Sequence, residues 1–355
     1  MSTRQRTFRA RTALLAIAAA ALIAACGGSN ATHQTITATH QTRLSNAVPG
    51  RLFAPTSVWN APLPASTPID PQSRQLVQTL TSQVSAEEHA DNGPWIATSQ
   101  SGVPIVTVGA TQADVSVALD HPADAALTRA WRAVPLPSTA APAQGTDGYL
   151  VLWQPSTNRM WEFWRLQRLD GSWHAAWGGA IRDVSDNPGV YGSGAWPGAK
   201  PYWGVTATSL ALAGGTMTIS ELERGQINHA LALSIPTVRS GVFASPAERT
   251  DGSDHSPTAI PEGARLRLDP HLNLNAIQMP RLTRLMAEAA QRYGIVIRDY
   301  AGIVSFSAQD PEPGTANPYG GAQGIFQGMY PSQLLASFPW SHLQVVRMQL
   351  HRESA

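Results

Sequence analysis

Apolar and polar positions alternate in short runs over residues 149–183, and this stretch predicts three antiparallel strands. The runs are rich in Trp, Val and Leu, and Pro-Ser-Thr-Asn and Asp-Gly sequences separate them, as is typical of tight turns. In the middle run, a period of two places Trp161 and Phe163 on one face. Glu162 and Trp164 then lie on the other face. We therefore expect a β-meander with aromatic side chains on both faces and a carboxylate on one.

Helical spacing is clearest at two places. Residues 71–86 follow an Asp-Pro pair that suits a helix start, and residues 281–293 carry an apolar stripe that ends before Gly294. The rest consists of short apolar runs between turn sequences, with 27 Pro and 29 Gly in 355 residues. We expect a mainly β fold, an antiparallel β-sandwich or jelly roll with a few peripheral helices, in one body spanning 51–350.

The amino terminus has a different pattern. Arginines precede an uncharged apolar run that ends in Leu-Ile-Ala-Ala before Cys26. This order resembles the bacterial lipoprotein family, in which the cysteine after an aliphatic and two small residues is lipidated. The resemblance implies a signal peptide at 1–25 and lipidation at Cys26. The alternative is a transmembrane helix, but the run is shorter than the roughly 20 residues that a span needs.

A lipid anchor at Cys26 would hold the protein on a membrane outside the cytoplasm, in the periplasm or at the cell surface. Residues 26–50 are polar and repeat Ala-Thr-His-Gln-Thr, which predicts a disordered tether. Cys26 is the only cysteine. The folded body therefore has no disulfide and no thiol nucleophile.

Composition and motifs exclude several function classes. Without the four arginines of the signal peptide, 24 acidic residues outnumber 21 basic ones, and no basic patch indicates a nucleic-acid partner. The sequence contains no His-Glu-x-x-His, Gly-x-Ser-x-Gly, P-loop or dinucleotide-binding motif. The run from Asp251 to His255 lacks most ligands of a calcium loop. We expect no metal site and no cofactor.

Four polar residues near the aromatic strands are candidates for catalysis, namely Glu162, Arg182, Asp183 and His229. Glu162 would suit a general acid if it lay in a cleft, or it pairs with an arginine such as Arg165. Arg182 and Asp183 end the third predicted strand, where a salt bridge or turn cap is equally consistent. His229 lies on an apolar strand face by parity, as core histidines often do.

These residues fit two chemistries. In a glycan lyase, an arginine neutralises a uronic carboxylate while His or Tyr abstracts the neighbouring proton. In a glycan hydrolase, two carboxylates drawn from Glu162, Asp183 and Asp299 would act as a pair, and their separation would set the stereochemistry. We expect the groove between the meander face and residues 186–203. Its candidate stacking platforms are Trp164, Trp177 and Trp203, although core packing explains these tryptophans as well.

The body is also similar to secreted bacterial proteins that carry Trp-Asn-x-Pro and Ile-[Asn/Asp]-His-Ala-Leu sequences, here Trp59–Pro62 and Ile227–Leu231. Its general pattern resembles β-sandwich polysaccharide lyases and glycan-binding domains. We therefore expect an extracytoplasmic, lipid-anchored protein that binds or acts on a polysaccharide as a lyase or hydrolase. The alternative is a non-catalytic glycan-binding or envelope-assembly lipoprotein.

Overall fold

The computed structural model of the chain describes residues 52–99, 101–120 and 124–353. The predicted signal peptide, the predicted tether and the lipidation site at Cys26 lie outside the described residues. Within the described ranges the chain is mainly β, as expected, with sixteen strands and five α-helices. No helix in these ranges combines the length and the apolar character needed to cross a bilayer.

The secondary structure follows the short apolar runs of the sequence. The strands are β1 (Trp95–Ala97), β2 (Ile105–Thr107), β3 (Val117–Leu119), β4 (Leu150–Gln154), β5 (Arg159–Trp164), β6 (Gln167–Leu169), β7 (Ser172–Ala175), β8 (Trp177–Arg182), β9 (Leu231–Ile235), β10 (Val238–Ala244), β11 (Ile260–Glu262), β12 (Arg265–Leu268), β13 (Ile295–Tyr300), β14 (Ser305–Ser307), β15 (Leu343–Val345) and β16 (Leu350–Arg352). The helices are α1 (Ser73–His89), α2 (Ala125–Ala130), α3 (Ile219–Arg224), α4 (Arg281–Arg292) and α5 (Pro331–Leu335).

The predicted meander is present as β4, β5 and β8, in a four-stranded sheet of order β2-β4-β5-β8. Its register pairs Leu150 with Phe163 and Trp164 with Trp177. The prediction missed a hairpin inserted after β5. Arg165 adopts a left-handed backbone with φ of 53°, so the strand ends at Trp164. The chain then forms β6 and β7 in a separate sheet with β3 before it returns as β8.

Strand pairing is mixed rather than wholly antiparallel, which corrects the predicted antiparallel sandwich. Five strand pairs run parallel, β1 with β14, β2 with β4, β3 with β7, β9 with β13 and β10 with β11. Parallel neighbours need a long connection, and the segment from β9 to β13 provides one that includes α4. The sheets therefore do not form a clear jelly roll.

The two long predicted helices are confirmed as α1 and α4. Leu76, Leu80 and Val84 line the buried face of α1, and a comparable apolar stripe on α4 packs against β12. Both helices belong to the core around the six-stranded sheet β1-β14-β9-β13-β12-β15. A second apolar core surrounds the meander sheet and contains Trp131 and Trp161. This arrangement brings the ends of β5, β8 and β13 to one cavity.

Candidate functional site

A cavity of about 560 Å³ lies where the meander sheet meets the end of β13. Aromatic and charged side chains line it together. The charged and aromatic residues of this lining are Asp147, Tyr149, Trp164, Trp177, Arg249, Asp251, Arg298, Asp299 and Tyr300. We call this the central cavity.

Two tryptophans of the central cavity are held as neighbouring, partly exposed rings. Trp164 and Trp177 are cross-strand partners, so their side chains leave the same face of the sheet. The Trp164 indole N–H donates to Asp147 Oδ1 at 3.2 Å, and the Arg165 guanidinium lies 4.3 Å from a Trp164 ring centroid. The Trp177 N–H donates to the Tyr202 carbonyl at 3.2 Å. The rings are therefore positioned before any ligand arrives.

The third predicted platform, Trp203, is a core residue. Its side chain is fully buried, and its indole N–H donates to Asp124 Oδ2 at 2.9 Å. Asp124 also caps α2, because its Oδ1 accepts hydrogen bonds from the N–H groups of Ala126 and Leu127. A buried ring cannot stack on a ligand, so the predicted binding role of Trp203 is wrong.

Glu162 is inside the protein rather than in a cleft. Its side chain is fully buried, and Oε1 accepts a hydrogen bond from Ala213 N at 3.1 Å. The Tyr191 hydroxyl lies near this carboxyl, but the hydroxyl and Glu162 Oε2 are both without a hydrogen-bond partner. Burial raises the pKa of Glu162 to about 7, although backbone hydrogen bonds, the nearby Tyr191 and the charge of Arg298 oppose the rise. Glu162 does not line the central cavity, so the predicted catalytic contact with a ligand is not formed.

The other three predicted polar residues lie at two further places. Arg182 and Asp183 line a separate cavity with residues 186–195, and their exposed side chains are 3.9 Å apart, from Nε to Oδ2. His229 lines a third cavity. There its Nε2 lies 3.3 Å from Glu221 Oε2, and its Nδ1 lies 2.8 Å from the Ala230 carbonyl. The structure therefore does not bring Glu162, Arg182, Asp183 and His229 together.

The structure instead gathers three carboxyl groups at the central cavity. Asp251, Glu262 and Asp299 each have an oxygen within 4.8 Å of an oxygen of the other two. Asp251 is exposed and Asp299 half-buried, and both line the cavity. Glu262, at the end of β11, is fully buried behind them. Asp299 is the one member that the sequence singled out for chemistry.

One carboxyl oxygen of Glu262 has no hydrogen-bond donor, and a proton on the carboxyl group would account for this. Its Oε2 accepts hydrogen bonds from Thr250 Oγ1 at 2.5 Å and from Asp251 N at 3.1 Å, whereas the buried Oε1 has no donor. An oxygen of the Asp251 carboxyl lies within 4.8 Å of an oxygen of the Glu262 carboxyl. Two carboxyl groups this close favour a proton on one of them, because like charges repel. Burial and then the nearby Asp299 raise the pKa of Glu262 well above its usual range, which places the proton on Glu262.

Asp299 is held by the backbone at the end of β13. Its Oδ1 accepts hydrogen bonds from Ala207 N at 3.2 Å and Tyr300 N at 3.1 Å. Burial raises the pKa of Asp299 to about 7, against the opposing charge of Arg298. A carboxyl group that exchanges its proton near neutral pH is suited to general acid and base catalysis.

The two arginines of the cavity are already engaged by the protein. The buried Arg298 donates from Nη1 to the Leu212 carbonyl at 2.6 Å and from Nη2 to Ser307 Oγ at 2.5 Å. Arg249 donates from Nε to Ser209 Oγ at 3.0 Å and from Nη2 to a backbone carbonyl at 2.8 Å. Of the buried guanidinium nitrogens of these two arginines, Arg298 Nε alone has no hydrogen-bond partner, so the cavity offers little free guanidinium to an anionic ligand.

The carboxyl cluster is also the group in the described ranges that could hold a cation. Three oxygens at this spacing suit a hard ion such as Ca²⁺. A proton on Glu262 would relieve the repulsion between these carboxyl groups without any ion. We therefore interpret the cluster as an acid–carboxylate arrangement.

Sequence reasoning considered Asp251 only as part of an incomplete calcium loop and did not single out Glu262. Asp251 lies in a polar loop, and Glu262 follows a proline in a three-residue strand. The available signal was a charged residue at a strand end, as at Asp299. The parallel pairing of β10 with β11 and the contact of β11 with β13 decide that these residues meet.

Comparison with known proteins does not identify a function for the central cavity. Searches of the chain against family models, curated proteins and solved structures found no match. The chemistry of the cavity itself is therefore the basis for assigning a function.

Proposed function

We propose that the protein is a glycan hydrolase, held outside the cytoplasm by a lipid anchor at Cys26, and that the central cavity binds a neutral glycan. One observation carries the proposal. The same cavity presents two fixed, partly exposed indole rings, Trp164 and Trp177, and the two carboxyl groups of Asp251 and Asp299. Aromatic faces offer flat apolar contact to sugar rings, and a carboxyl pair is the usual apparatus for cleaving a glycosidic bond.

The charges of the cavity favour a neutral glycan over a uronic one. A lyase of uronic chains would need a free cation to neutralise the substrate carboxylate. Arg249 and Arg298 are engaged by protein acceptors, and Asp147, Asp251 and Asp299 face the same space. Placing a further carboxylate among these groups would cost free energy. Hydrolysis is therefore better supported than elimination.

The proposal is tested by a glycan panel with purified protein. Neutral glycans, uronic polysaccharides and peptidoglycan are compared by calorimetric affinity and by release of reducing ends. We expect binding and turnover of a neutral glycan. Binding without any turnover would instead support the non-catalytic glycan-binding alternative, and binding of uronic chains alone would contradict the neutral specificity.

Two variants locate the ligand. Trp164→Ala and Trp177→Ala should each weaken binding about two- to tenfold, which corresponds to the roughly 0.5–1.5 kcal/mol of an aromatic contact. Trp196→Ala is the matched control, since this tryptophan is also partly exposed but does not line the cavity. Trp203→Ala should lose about 3–5 kcal/mol of stability as a core truncation. Unchanged affinity in both cavity variants would reject the central cavity as the binding site.

A further inference from the structure

The separation of the two cavity carboxyls has a stereochemical meaning if the proposed hydrolysis is correct. Inverting glycosidases keep their carboxyl groups roughly 6.5–9.5 Å apart to hold a water, whereas retaining enzymes keep them about 5–5.5 Å apart. Oxygens of Asp251 and Asp299 lie within 4.8 Å of each other. This close approach fits the shorter carboxyl separation of retaining enzymes better than the longer one of inverting enzymes.

We propose that the central cavity hydrolyses glycosides with retention of configuration, with Asp251 as the nucleophile, Asp299 as the acid and base, and Glu262 as the residue that positions Asp251. The proposal rests on the hydrolase function stated above. It adds the reaction course and assigns a separate role to each member of the cluster.

Exposure separates the three roles. Asp251 and Asp299 line the cavity, so both can touch a substrate. Glu262 is fully buried, and its Oε1 has no hydrogen-bond donor. One of its carboxyl oxygens lies within 4.8 Å of an Asp251 oxygen. This buried, unpartnered oxygen is explained if Glu262 carries a proton and shares it with Asp251. Glu262 then acts through Asp251 and does not contact the substrate.

Exposure decides which aspartate attacks. Asp251 is exposed whereas Asp299 is half-buried, so Asp251 is the more readily ionised of the two and supplies the carboxylate that a nucleophile requires. Asp299 accepts both backbone hydrogen bonds at Oδ1, so a proton can reside on Oδ2. Burial raises the pKa of Asp299 to about 7, which supports the acid and base role.

The reaction has two balanced steps. In the first, an Asp251 oxygen forms a bond to the anomeric carbon while the glycosidic C–O bond breaks, and the Asp299 proton moves to the leaving oxygen. In the second, Asp299 takes a proton from water as the water oxygen bonds to the anomeric carbon. The bond between the anomeric carbon and Asp251 breaks in the same displacement, which restores the Asp251 carboxylate, and the two inversions give net retention.

The first test follows the configuration of the product. Wild-type protein is given a panel of 2,4-dinitrophenyl glycosides of neutral sugars, and proton NMR identifies the anomer that forms first. We expect the anomer of the substrate. Formation of the opposite anomer overturns the retaining mechanism but leaves hydrolysis standing, whereas no turnover of any glycoside or glycan overturns both.

The second test identifies the nucleophile without requiring a variant to fold. The 2-deoxy-2-fluoro analogue of the glycoside that is turned over should form a stable adduct with the wild-type protein, and peptide mass spectrometry should place it on Asp251. An adduct on Asp299 or Glu262, or no adduct, overturns the assignment. Loss of turnover in EDTA with recovery in Ca²⁺ would also overturn it, because the cluster would then hold a cation.

Variants separate the acid from the positioning residue. Asp299→Ala should lower turnover of glycans roughly 10²–10⁴-fold but much less for dinitrophenyl glycosides, whose leaving group needs no proton. With added azide it should yield a glycosyl azide of retained configuration. Glu262→Gln can still donate to Asp251 and should keep most of the activity, whereas Glu262→Leu should lose at least tenfold in kcat. Equal activity of the two Glu262 variants would reject the positioning role.

Discussion

At the scale of single residues, burial changes the role of a side chain more than its neighbours in sequence do. Glu162 and Trp164 share one face of β5, yet Glu162 is fully buried and Trp164 is partly exposed. Oε1 of the buried carboxyl accepts a hydrogen bond from Ala213 N, whereas Oε2 has no hydrogen-bond partner. Its cost to the fold therefore depends on its protonation.

Glu162→Gln should remove a pH dependence of stability. Burial raises the pKa of Glu162 to about 7 in the folded chain, against about 4.3 in the unfolded chain. Between these values the folded state holds more protons, so the free energy of unfolding of the wild type falls as pH rises. Glutamine does not titrate. The stability of the wild type relative to the variant should therefore fall by roughly 3 kcal/mol from pH 4.5 to pH 7.5.

Urea unfolding of the two proteins at pH 4.5, 6.0 and 7.5 measures this difference. The other buried acids are common to both proteins, so their contributions cancel in the comparison. Parallel stability curves would show that Glu162 does not change its protonation in this range.

At the scale of elements, the two glycines of β8 allow the meander sheet to carry a close second layer. A Cβ atom at Gly179 would lie 2.3 Å from the Tyr191 ring, and one at Gly178 would lie 2.9 Å from Trp131. Tyr191 in turn contacts Glu162 on β5. Small residues in this strand thus position the aromatic layer and the buried carboxyl together.

Gly179→Ala should destabilise the protein by about 1–3 kcal/mol, because the added methyl group overpacks the contact with Tyr191. Gly194→Ala is the matched control, since nothing lies within 4 Å of its added Cβ atom. Thermal or denaturant unfolding measures both. If the two variants have the same free energy of unfolding, the Tyr191 ring must be able to shift away from the added methyl group without loss of stability.

At the scale of the whole molecule, the proposed lipid anchor determines where the cavity works. Cys26→Ala should abolish labelling by palmitate and either release a soluble form or leave an unprocessed precursor, because the variant has no thiol to acylate. Each buried methylene of an acyl chain contributes about 0.8 kcal/mol of membrane affinity. Loss of the acyl chains should therefore remove most of the affinity of the protein for the membrane. Cell fractionation with palmitate labelling measures the effect.

Ser29→Ala is the control for the anchor, since it leaves the cysteine in place three residues away. This variant should remain labelled and membrane-bound. Unchanged membrane association of Cys26→Ala, with the signal peptide removed, would contradict the anchor.

Local patterns determined the parts of the fold that depend on neighbours in the chain. The period of two predicted the meander strands and placed Trp164 on the face that carries it in the structure. The helical stripes predicted α1 and α4 within a few residues. Asp299 was also a candidate from its position in a strand. These features follow from the sequence because side-chain direction repeats every few residues.

Tertiary structure decided what no local pattern records. A period assigns a side chain to a face, but the covering of that face depends on distant segments, so Trp203 is in the core and Trp177 is in the cavity. The parallel pairing of β10 with β11 and the contact of β11 with β13 bring Asp251 and Glu262 to Asp299. The carboxyl cluster is a product of long-range packing, because its members come from three separate segments whose individual sequences carry no sign of one another.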